Sequence, residues 1–248
     1  VAVTLRLAVG NNAGSLPPNF AFVRVTDVAP LGTDFLRVTL RGEDLSKHQD
    51  DSIHFRLVIP PVGHAPQWPT VAANGSVVWP DGDAAPHRPV YTTRRIDHTT
   101  DTITMDVFIH EGGRVTEWAQ AQQSNPRKQQ IGVGLWPAGC AILKADRVLM
   151  ASDETGFPAA ARLLEHLPAN AKGDLLLEAA NGAACAYPID VPKGINLTWL
   201  SRNAGDCLGK ATIAALPNHA KSKIWFAGER HQAKQVREVA QSSGYTKD

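Results

Sequence analysis

The segment Arg88-Pro89-Val90-Tyr91-Thr92 brings an arginine, an aromatic ring and a hydroxyl group together within five residues. In an extended strand Arg88 and Thr92 share one face, and the ring of Tyr91 is free to lie flat against another planar ring. A guanidinium presents a planar fork to a diphosphate, and a phenol ring is a stacking surface. The segment therefore predicts a site for a phosphorylated compound with a planar ring. The alternative is an ordinary strand with solvated arginines.

A second candidate lies where an alternating run, Asp106 to His110, gives way to Gly112-Gly113. The residues that follow predict a helix over 115–123. The N-terminus of a helix offers free N–H groups and a positive dipole to phosphate oxygens, and glycines let a ligand approach the backbone. The pattern predicts a phosphate site to which Thr116 contributes its hydroxyl. The alternative is a plain helix cap with Thr116 at the surface.

Three further groups of polar residues lie in the second half of the chain. The turn from Ser152 to Pro158 lacks the Gly-x-Gly-x-x-Gly of dinucleotide-binding folds, and its acids are also typical of a helix N-cap. Ser201-Arg202 follows a predicted strand, where an arginine can bind a phosphate with two donors. Arg230, Lys234 and Arg237 share one face of the last predicted helix. Such a face is typical of solvated helices, or it attracts an anionic ligand.

The elements that must hold these groups differ between the two halves. Before Leu143 the apolar residues alternate or form short β-rich runs between turn residues, which indicates an antiparallel sandwich or barrel. After Leu143 continuous apolar runs alternate with helical spacing, which indicates a parallel sheet covered on both faces. We therefore predict two domains: an antiparallel β-barrel over 1–143 and an α/β domain with a parallel sheet over 144–248.

The predicted strands of the first half are 22–26, 35–40, 53–59, 76–79, 103–109 and 131–135. Those of the second half are 147–151, 175–177, 195–200 and 224–227, with helices over 157–167 and 229–242. Parallel sheets bind ligands at the carboxyl ends of their strands. The turn from Ser152 to Pro158 and the pair Ser201-Arg202 both fall at such ends.

The composition excludes several classes of protein. The chain has 248 residues with 25 basic and 24 acidic side chains, a net charge of +1, so no global basic field attracts nucleic acid. No window reaches the ~18 consecutive apolar residues of a membrane helix, and the first residues lack the apolar core of a signal peptide. Three cysteines outside any Cys-x-x-Cys pair favour a reducing compartment. We expect a cytoplasmic protein with no nucleic-acid or membrane partner and no metal site.

Four blocks, in order along the chain, resemble the siderophore-interacting proteins, which are bacterial ferric-siderophore reductases within the ferredoxin–NADP reductase superfamily. The blocks are similar to the Arg-x-Tyr-Thr flavin signature (88–92), the strand, glycine and Ser/Thr-x-Trp-Ala block (106–119), the Asp-Glu-Thr-x-x-Pro-Ala turn (152–159) and the late Ala-Gly-Glu (226–229). Residues 27–45 also resemble the first hairpin of the family. The resemblance covers nearly the whole chain.

The resemblance implies a flavin-binding barrel followed by a domain like those that bind nicotinamide dinucleotides, with FAD as cofactor and NADPH or NADH as electron donor. The residues expected at FAD are Arg88, Tyr91, Thr92, Thr93, Asp106, Val107, His110, Gly113, Thr116, Asp153, Glu154 and Thr155. In the wider superfamily a Ser-Arg pair reads the 2′-phosphate of NADPH, which is the role expected of Ser201 and Arg202. The basic face formed by Arg230, Lys234 and Arg237 is the expected contact for an anionic ferric chelate.

We therefore expect an FAD-dependent reductase that takes a hydride from NAD(P)H, passes single electrons to the Fe(III) of a bound siderophore and releases Fe(II). Outer-sphere electron transfer requires neither a protein iron ligand nor an acid–base triad. Two alternatives stay open. One is a flavin reductase, driven by NAD(P)H or ferredoxin, with a different acceptor. The other is a non-enzymatic protein that binds the chelate and keeps flavin as a structural group.

Overall fold

Antiparallel strands make up most of the first half, as the alternating apolar residues predict. A computed structural model describes residues 14–48, 53–124, 130–135 and 145–246. The strands described before residue 136 are β1 (Phe20–Leu31), β2 (Phe35–Gly42), β3 (His54–Val58), β4 (Thr70–Val71), β5 (Val77–Val78), β6 (Val90–Thr92), β7 (Arg95–Asp97), β8 (Thr102–Phe108) and β9 (Ile131–Leu135). Seven of them form one sheet in the order β6-β3-β9-β1-β2-β8-β7, and β4 pairs with β5.

The expectation of a closed barrel is not met. In the part of the chain that the structure describes, β6 and β7 are the two edges of the seven-stranded sheet, and no ladder joins them. Between these three-residue strands, the Thr93 N–H donates to the Ile53 carbonyl at 3.0 Å and the Arg94 N–H donates to the Thr104 carbonyl at 2.8 Å. The segment Thr93-Arg94 thus makes only one backbone hydrogen bond to each side of the curled sheet. That is too little pairing for a continuous ladder.

The helix α1 (Arg114–Ser124) confirms the helix predicted after the glycine pair. Val115 and Ala119 are buried against the curled sheet, because residues four apart lie on the same face of a helix. The core beneath α1 contains alternate residues of several strands, such as Val38 and Leu40 of β2 and Ile103 and Met105 of β8. This packing fixes α1, and with it the glycine turn, at the end of β8.

The second half has the predicted parallel sheet. Its strands are β10 (Arg147–Asp153), β11 (Lys172–Ala179), β12 (Ile195–Ser201) and β13 (Lys223–Ala227). All neighbours are parallel, in the order β12-β11-β10-β13. The carboxyl ends of these strands therefore lie at one edge of the sheet.

Three helices accompany this sheet: α2 (Phe157–Glu165), α3 (Leu208–Ala215) and α4 (Arg230–Ser242). Two of them confirm predicted helices, whereas α3 was not predicted. Buried residues line both sides of the sheet, with one cluster around Met150 and Leu175 and another around Leu149 and Leu176. No helix in the described ranges has both the length and the apolar composition needed to cross a membrane.

Contacts between the two halves are extensive. Phe35 of β2 and Ile53 of the first half belong to the same buried cluster as Phe157 and Leu164 of α2. The rings of Phe35 and Phe157 are stacked at a centroid distance of 6.0 Å. The predicted boundary between 143 and 144 falls in 136–144, outside the described residues.

Candidate functional site

The strand β6 presents the residues of the first predicted motif on two different faces. Antiparallel register pairs Arg56 with Val90, Phe55 with Tyr91 and His54 with Thr92. Because directly paired residues point to the same side, Thr92 lies with His54 and Arg56, and Tyr91 lies with the buried ring of Phe55. Two residues separate Arg88 from Tyr91, one more than in Arg-x-Tyr-Thr, so by strand alternation Arg88 and Tyr91 face opposite sides.

Tyr91 packs against the core of the first half. Burial raises the pKa of its phenol to about 12, so the hydroxyl stays protonated at neutral pH. The expectation that Arg88 and Thr92 share a face agrees with this register. The ring of Tyr91 is half-buried on the other face.

Arg88 lies in a cavity of about 420 Å³ on the outer face of the curled sheet. Its guanidinium carbon is 4.5 Å from the centroid of the Trp79 ring. Arg56 also lines the cavity and donates from Nη1 to the Arg88 carbonyl at 2.6 Å. Phe20 and Gly134 complete this side, and none of the lining residues that the structure describes is acidic. The cavity therefore combines positive charge with aromatic faces.

The sequence pattern did not indicate Trp79 or Arg56 as site residues. Trp79 lies after β5, at the end of the predicted strand 76–79, in the Pro-rich excursion that precedes β6. The sequence signal for Arg56 is a cation in the middle of an apolar strand. Pairing of β3 with β6 brings that cation beside Arg88.

Thr92 and Thr93, both expected at the cofactor, are buried. The Thr93 hydroxyl is 2.7 Å from His48 Nε2, so its hydrogen bond is made within the protein. The next residue, Arg94, donates to both carboxylate oxygens of Glu165 on α2, at 3.0 and 2.6 Å. The end of β6 therefore contacts the second half of the protein.

The turn into α1 brings His110, Gly113 and Thr116 together. The Thr116 hydroxyl accepts from the His110 N–H and donates to the Phe108 carbonyl, both at 3.3 Å. A Cβ at Gly113 would lie 2.7 Å from the His110 ring and 2.8 Å from the Thr116 hydroxyl, which only glycine avoids. The Glu117 N–H donates to the Gly113 carbonyl, so the N–H groups of 114–116 point out of the helix N-terminus.

Asp106 and Val107 have structural partners. Asp106 is buried and accepts from Arg37 Nε at 2.7 Å, from Arg37 Nη2 at 2.8 Å and from the Tyr187 hydroxyl at 2.7 Å. The Val107 side chain is fully buried in the core of the first half. Only the backbone of these two residues is left to contact a cofactor.

The residues of β6 and α1 fit FAD, the cofactor that the resemblance implies. The cavity supplies two guanidinium groups and aromatic rings. The N-terminus of α1 supplies N–H groups, and Gly113 beside them leaves open the space that a Cβ would fill. In addition, Trp118 on α1 has a buried indole N–H without a partner. Cations, aromatic faces and N–H donors are the groups that a diphosphate and two ring systems require.

Asp153, Glu154 and Thr155 follow β10 at the carboxyl edge of the parallel sheet. Asp153 Oδ1 accepts from the Thr155 N–H at 3.0 Å and from the Thr155 hydroxyl at 2.6 Å, the bonds of an N-cap. Glu154 is only 3% exposed and accepts from the Ala180 N–H at 2.9 Å. Asp153 therefore caps the 3-10 turn Glu154–Gly156 that precedes α2, and Glu154 points into the protein.

Arg202 binds two buried carboxylates at the same edge. Its Nη1 lies 3.3 Å from Glu154 Oε1, and its Nε lies 3.2 Å from Glu178 Oε1. Burial alone would lower the pKa of Arg202, but the charges and hydrogen bonds of Glu154 and Glu178 raise it. Ser201, its predicted partner in phosphate binding, donates its hydroxyl to the Ala180 carbonyl at 3.2 Å.

The basic face of α4 is exposed. Arg230, Lys234 and Arg237 are all solvent-accessible, and Lys234 lies 3.8 Å from Glu238 one turn later. His231 contacts Glu229, which also caps the helix by accepting from the Gln232 N–H. Among the described residues, no three His, Cys, Asp or Glu side chains form a group suited to a metal ion.

Comparison with known families gives two adjacent matches. Residues 22–129 match the siderophore-interacting FAD-binding domain, and residues 145–248 match the siderophore-interacting protein family. A protein of Escherichia coli K12 named NADPH-dependent ferric-chelate reductase is 30% identical over 222 residues, which cover 85% of this chain and 82% of that protein. The ferric vibriobactin reductase ViuB of Vibrio cholerae is 28% identical over 217 residues, covering 83% and 77%.

Solved structures share the fold over almost the full chain. The siderophore-interacting protein SipS of Aeromonas hydrophila superposes with a TM-score of 0.73 at 20% identity, covering 92% of this chain and 87% of that one. A siderophore utilization protein from T. fusca gives a TM-score of 0.66 at 25% identity, covering 93% and 89%. With both halves matched in order and the architecture shared, the chain belongs to the siderophore-interacting protein family.

Proposed function

We propose that the protein is an FAD-dependent reductase of ferric siderophores or similar ferric chelates, with NADH or NADPH as electron donor. The observation that carries the proposal is the match of both halves to the siderophore-interacting family, together with the relatives named as ferric-chelate reductases. The cationic and aromatic groups around β6 support a flavin nucleotide in the first half. The parallel sheet offers a carboxyl edge for the donor.

In this proposal the cavity and the N-terminus of α1 each bind part of the FAD. Arg88, with Arg56 beside it, neutralises phosphate charge, and Trp79 supplies a face for a planar base. Gly113 and Thr116 keep the N–H groups of the helix N-terminus accessible. FAD, when bound, converts a two-electron donor into one-electron steps, which the reduction of Fe(III) requires. Tyr91, Thr92, Thr93, His110 and the 153–155 turn stay predicted cofactor contacts, and the proposal assigns none of them to the cavity.

The ferric chelate is substrate in this reaction. Fe(II) binds hard oxygen ligands weakly, so reduction releases the iron. The exposed cations Arg230, Lys234 and Arg237 attract an anionic chelate without selecting strongly for its shape. Electron transfer through the flavin requires no protein ligand to the iron. We place the reaction in the cytoplasm, where reducing nicotinamide nucleotides are available.

The direct test is an anaerobic assay of the FAD-loaded protein. NADH or NADPH is added together with a panel of ferric catecholate, hydroxamate and citrate chelates, and a ferrous-specific chromophore reports Fe(II). We expect the flavin absorbance to bleach and then recover as Fe(II) appears. A flavin that stays oxidised with both nucleotides would contradict the reductase function.

The role of the cavity is tested by comparing two flavins. FAD carries an adenosine monophosphate unit that FMN lacks, so a cavity that binds this unit discriminates between them. Arg88→Ala should weaken FAD binding about tenfold or more, the loss expected for a charge-assisted contact, and leave FMN affinity within about twofold. Arg95→Ala, at an exposed arginine of β7, is the matched control. Equal losses for FAD and FMN would contradict the assignment.

A further inference from the structure

At the carboxyl edge of β10, β11 and β12, the arginine that could bind a phosphate is already paired with acids. Glu154 and Glu178, 3% and 4% exposed, both contact Arg202. The segments that directly follow the three strands, 154–156, 180–183 and 202–207, are all described, and Arg202 is their one basic residue. Two carboxylates and one guanidinium leave one negative charge in excess, and Asp206 adds another.

The polar side chains of the loop after β12 make hydrogen bonds within the protein. Besides the bond of Ser201 to Ala180, Asn203 Nδ2 donates to Asn181 Oδ1 at 2.9 Å. Asp206 accepts from the Ser201 N–H at 2.8 Å, which brings an acid to the strand end. A phosphate arriving at this loop meets the exposed Asp206 and a guanidinium that already binds two buried carboxylates.

The N-terminus of α3, which starts beside the same loop, is also occupied. The Leu208 N–H donates to Glu178 Oε2 and the Gly209 N–H donates to Gln232 Oε1, both at 2.6 Å. Free N–H groups at a helix N-terminus are a common binding site for phosphate. Here the protein's own acceptors bind two of these N–H groups.

From these contacts we propose that the edge rejects the 2′-phosphate of NADPH, so that NADH is the preferred donor, with Glu178 and Glu154 as the residues that determine the specificity. The inference rests on the proposed reductase function and deepens it. The two donors differ only in the 2′-phosphate, which carries up to two negative charges. An excess of acid within a few ångström disfavours that group, whereas a free Arg202 would attract it. The relative from Escherichia coli is named NADPH-dependent, so this chain should differ from it in donor choice.

The first test compares the second-order rate constants of flavin reduction by NADH and NADPH in anaerobic stopped flow. We expect NADH to react at least ~10 times faster at low ionic strength. Raising NaCl from about 25 to 300 mM shortens the screening length, so repulsion weakens and the NADPH rate should rise relative to the NADH rate. An NADPH rate that equals or exceeds the NADH rate, or that falls relative to it with salt, overturns the inference. If neither nucleotide bleaches the flavin, the proposed reductase function itself is contradicted.

Glu178→Gln tests the assignment to residues. The glutamine keeps an oxygen that can accept from the Leu208 N–H, but it removes one charge and releases Arg202 Nε. The NADH-to-NADPH rate ratio should fall at least ~3-fold. Glu43→Gln, an equal charge change at an exposed position after β2, is the control and should leave the ratio unchanged. An unchanged ratio in a folded Glu178→Gln protein overturns the role of this carboxylate.

A binding measurement gives a readout that does not depend on electron transfer. Titration calorimetry of the FAD-loaded protein compares 5′-AMP with adenosine 2′,5′-bisphosphate. We expect the bisphosphate to bind at least ~5-fold more weakly. Tighter binding of the bisphosphate would show that Arg202 binds the 2′-phosphate, and it would overturn the inference. This measurement uses the unmutated protein, so it does not depend on whether Glu178→Gln folds.

Discussion

Asp106 connects the two halves of the protein through hydrogen bonds to Arg37 of β2 and to Tyr187 of the second half. Burial of the phenol, followed by the charge of Asp106, raises the pKa of Tyr187. The phenol therefore stays protonated and donates to the carboxylate throughout the physiological range. Arg37 and Tyr187 together satisfy a carboxylate that would otherwise be costly to bury.

At this residue we predict that Tyr187→Phe destabilises the protein by about 1.5–3 kcal/mol, the usual contribution of a hydrogen bond to a charged group. The measurement is the free energy of unfolding from a urea titration. Tyr245→Phe is the matched control. Its hydroxyl donates to the Leu216 carbonyl at 3.2 Å, and its loss should cost less than about 0.5 kcal/mol. If both variants cost the same, the bond to Asp106 is not the source of the stability.

The sequence identified the site only in part, and Arg202 shows why. Its position after a parallel strand was predictable from the pattern of apolar runs, and the structure agrees. Its partners were not predictable, because Glu154 and Glu178 are 48 and 24 residues away and meet it only through the strand order. Trp79 was missed for the same reason: its contact with Arg88 depends on how the Pro-rich excursion folds back.

The turn into α1 is the element on which the cofactor proposal depends most. Gly112 and Gly113 serve different purposes there. Gly112 has a φ of +71° and open space where a Cβ would lie, whereas Gly113 lacks positive φ but lies against His110 and Thr116. The first glycine permits the turn, and the second keeps the helix N-terminus clear.

We therefore predict different outcomes for alanine at the two glycines. Gly113→Ala should push the His110 ring and the Thr116 hydroxyl aside and weaken FAD binding about tenfold, or ~1.4 kcal/mol. Gly112→Ala should lower the free energy of unfolding by about 1–2 kcal/mol through backbone strain, with little change in FAD affinity. Fluorescence titration with FAD and urea unfolding separate the two effects. Retention of full FAD affinity in Gly113→Ala would argue against a phosphate site at this turn.

Most elements were predictable because their apolar residues follow the strand or helix period, as in β2, β8 and α2. The exceptions lack that signal. α3 has eight residues, and its N-cap, Cys207, makes no capping hydrogen bond with its side chain, so no start signal precedes it. The sheet does not close between β6 and β7 because each of these strands has only three residues. The length of a strand's pairing cannot be read from the period of its apolar residues.

At the scale of the whole molecule, the two predicted domains share one of the buried clusters. Phe35 contacts the rings of Phe157 and Tyr187, and Arg94 forms its ion pair with Glu165 across the same boundary. Loss of either half would expose this apolar surface to water. We therefore expect the two halves to unfold as a single cooperative unit, although their strands form separate sheets.

We predict that Phe35→Ala, a substitution in the first half, destabilises both halves together by about 3–5 kcal/mol, because it leaves a cavity in the shared cluster. Hydrogen exchange read segment by segment should show faster exchange in α2 and β10 as well as in β2. Leu216→Ala, in the cluster on the other face of the parallel sheet, is the comparison; if the molecule is one cooperative unit, it too should raise exchange in both halves. Faster exchange confined to the mutated half in either variant, or two separate unfolding transitions, would mean that the halves fold independently and that the shared aromatic cluster contributes little to their coupling.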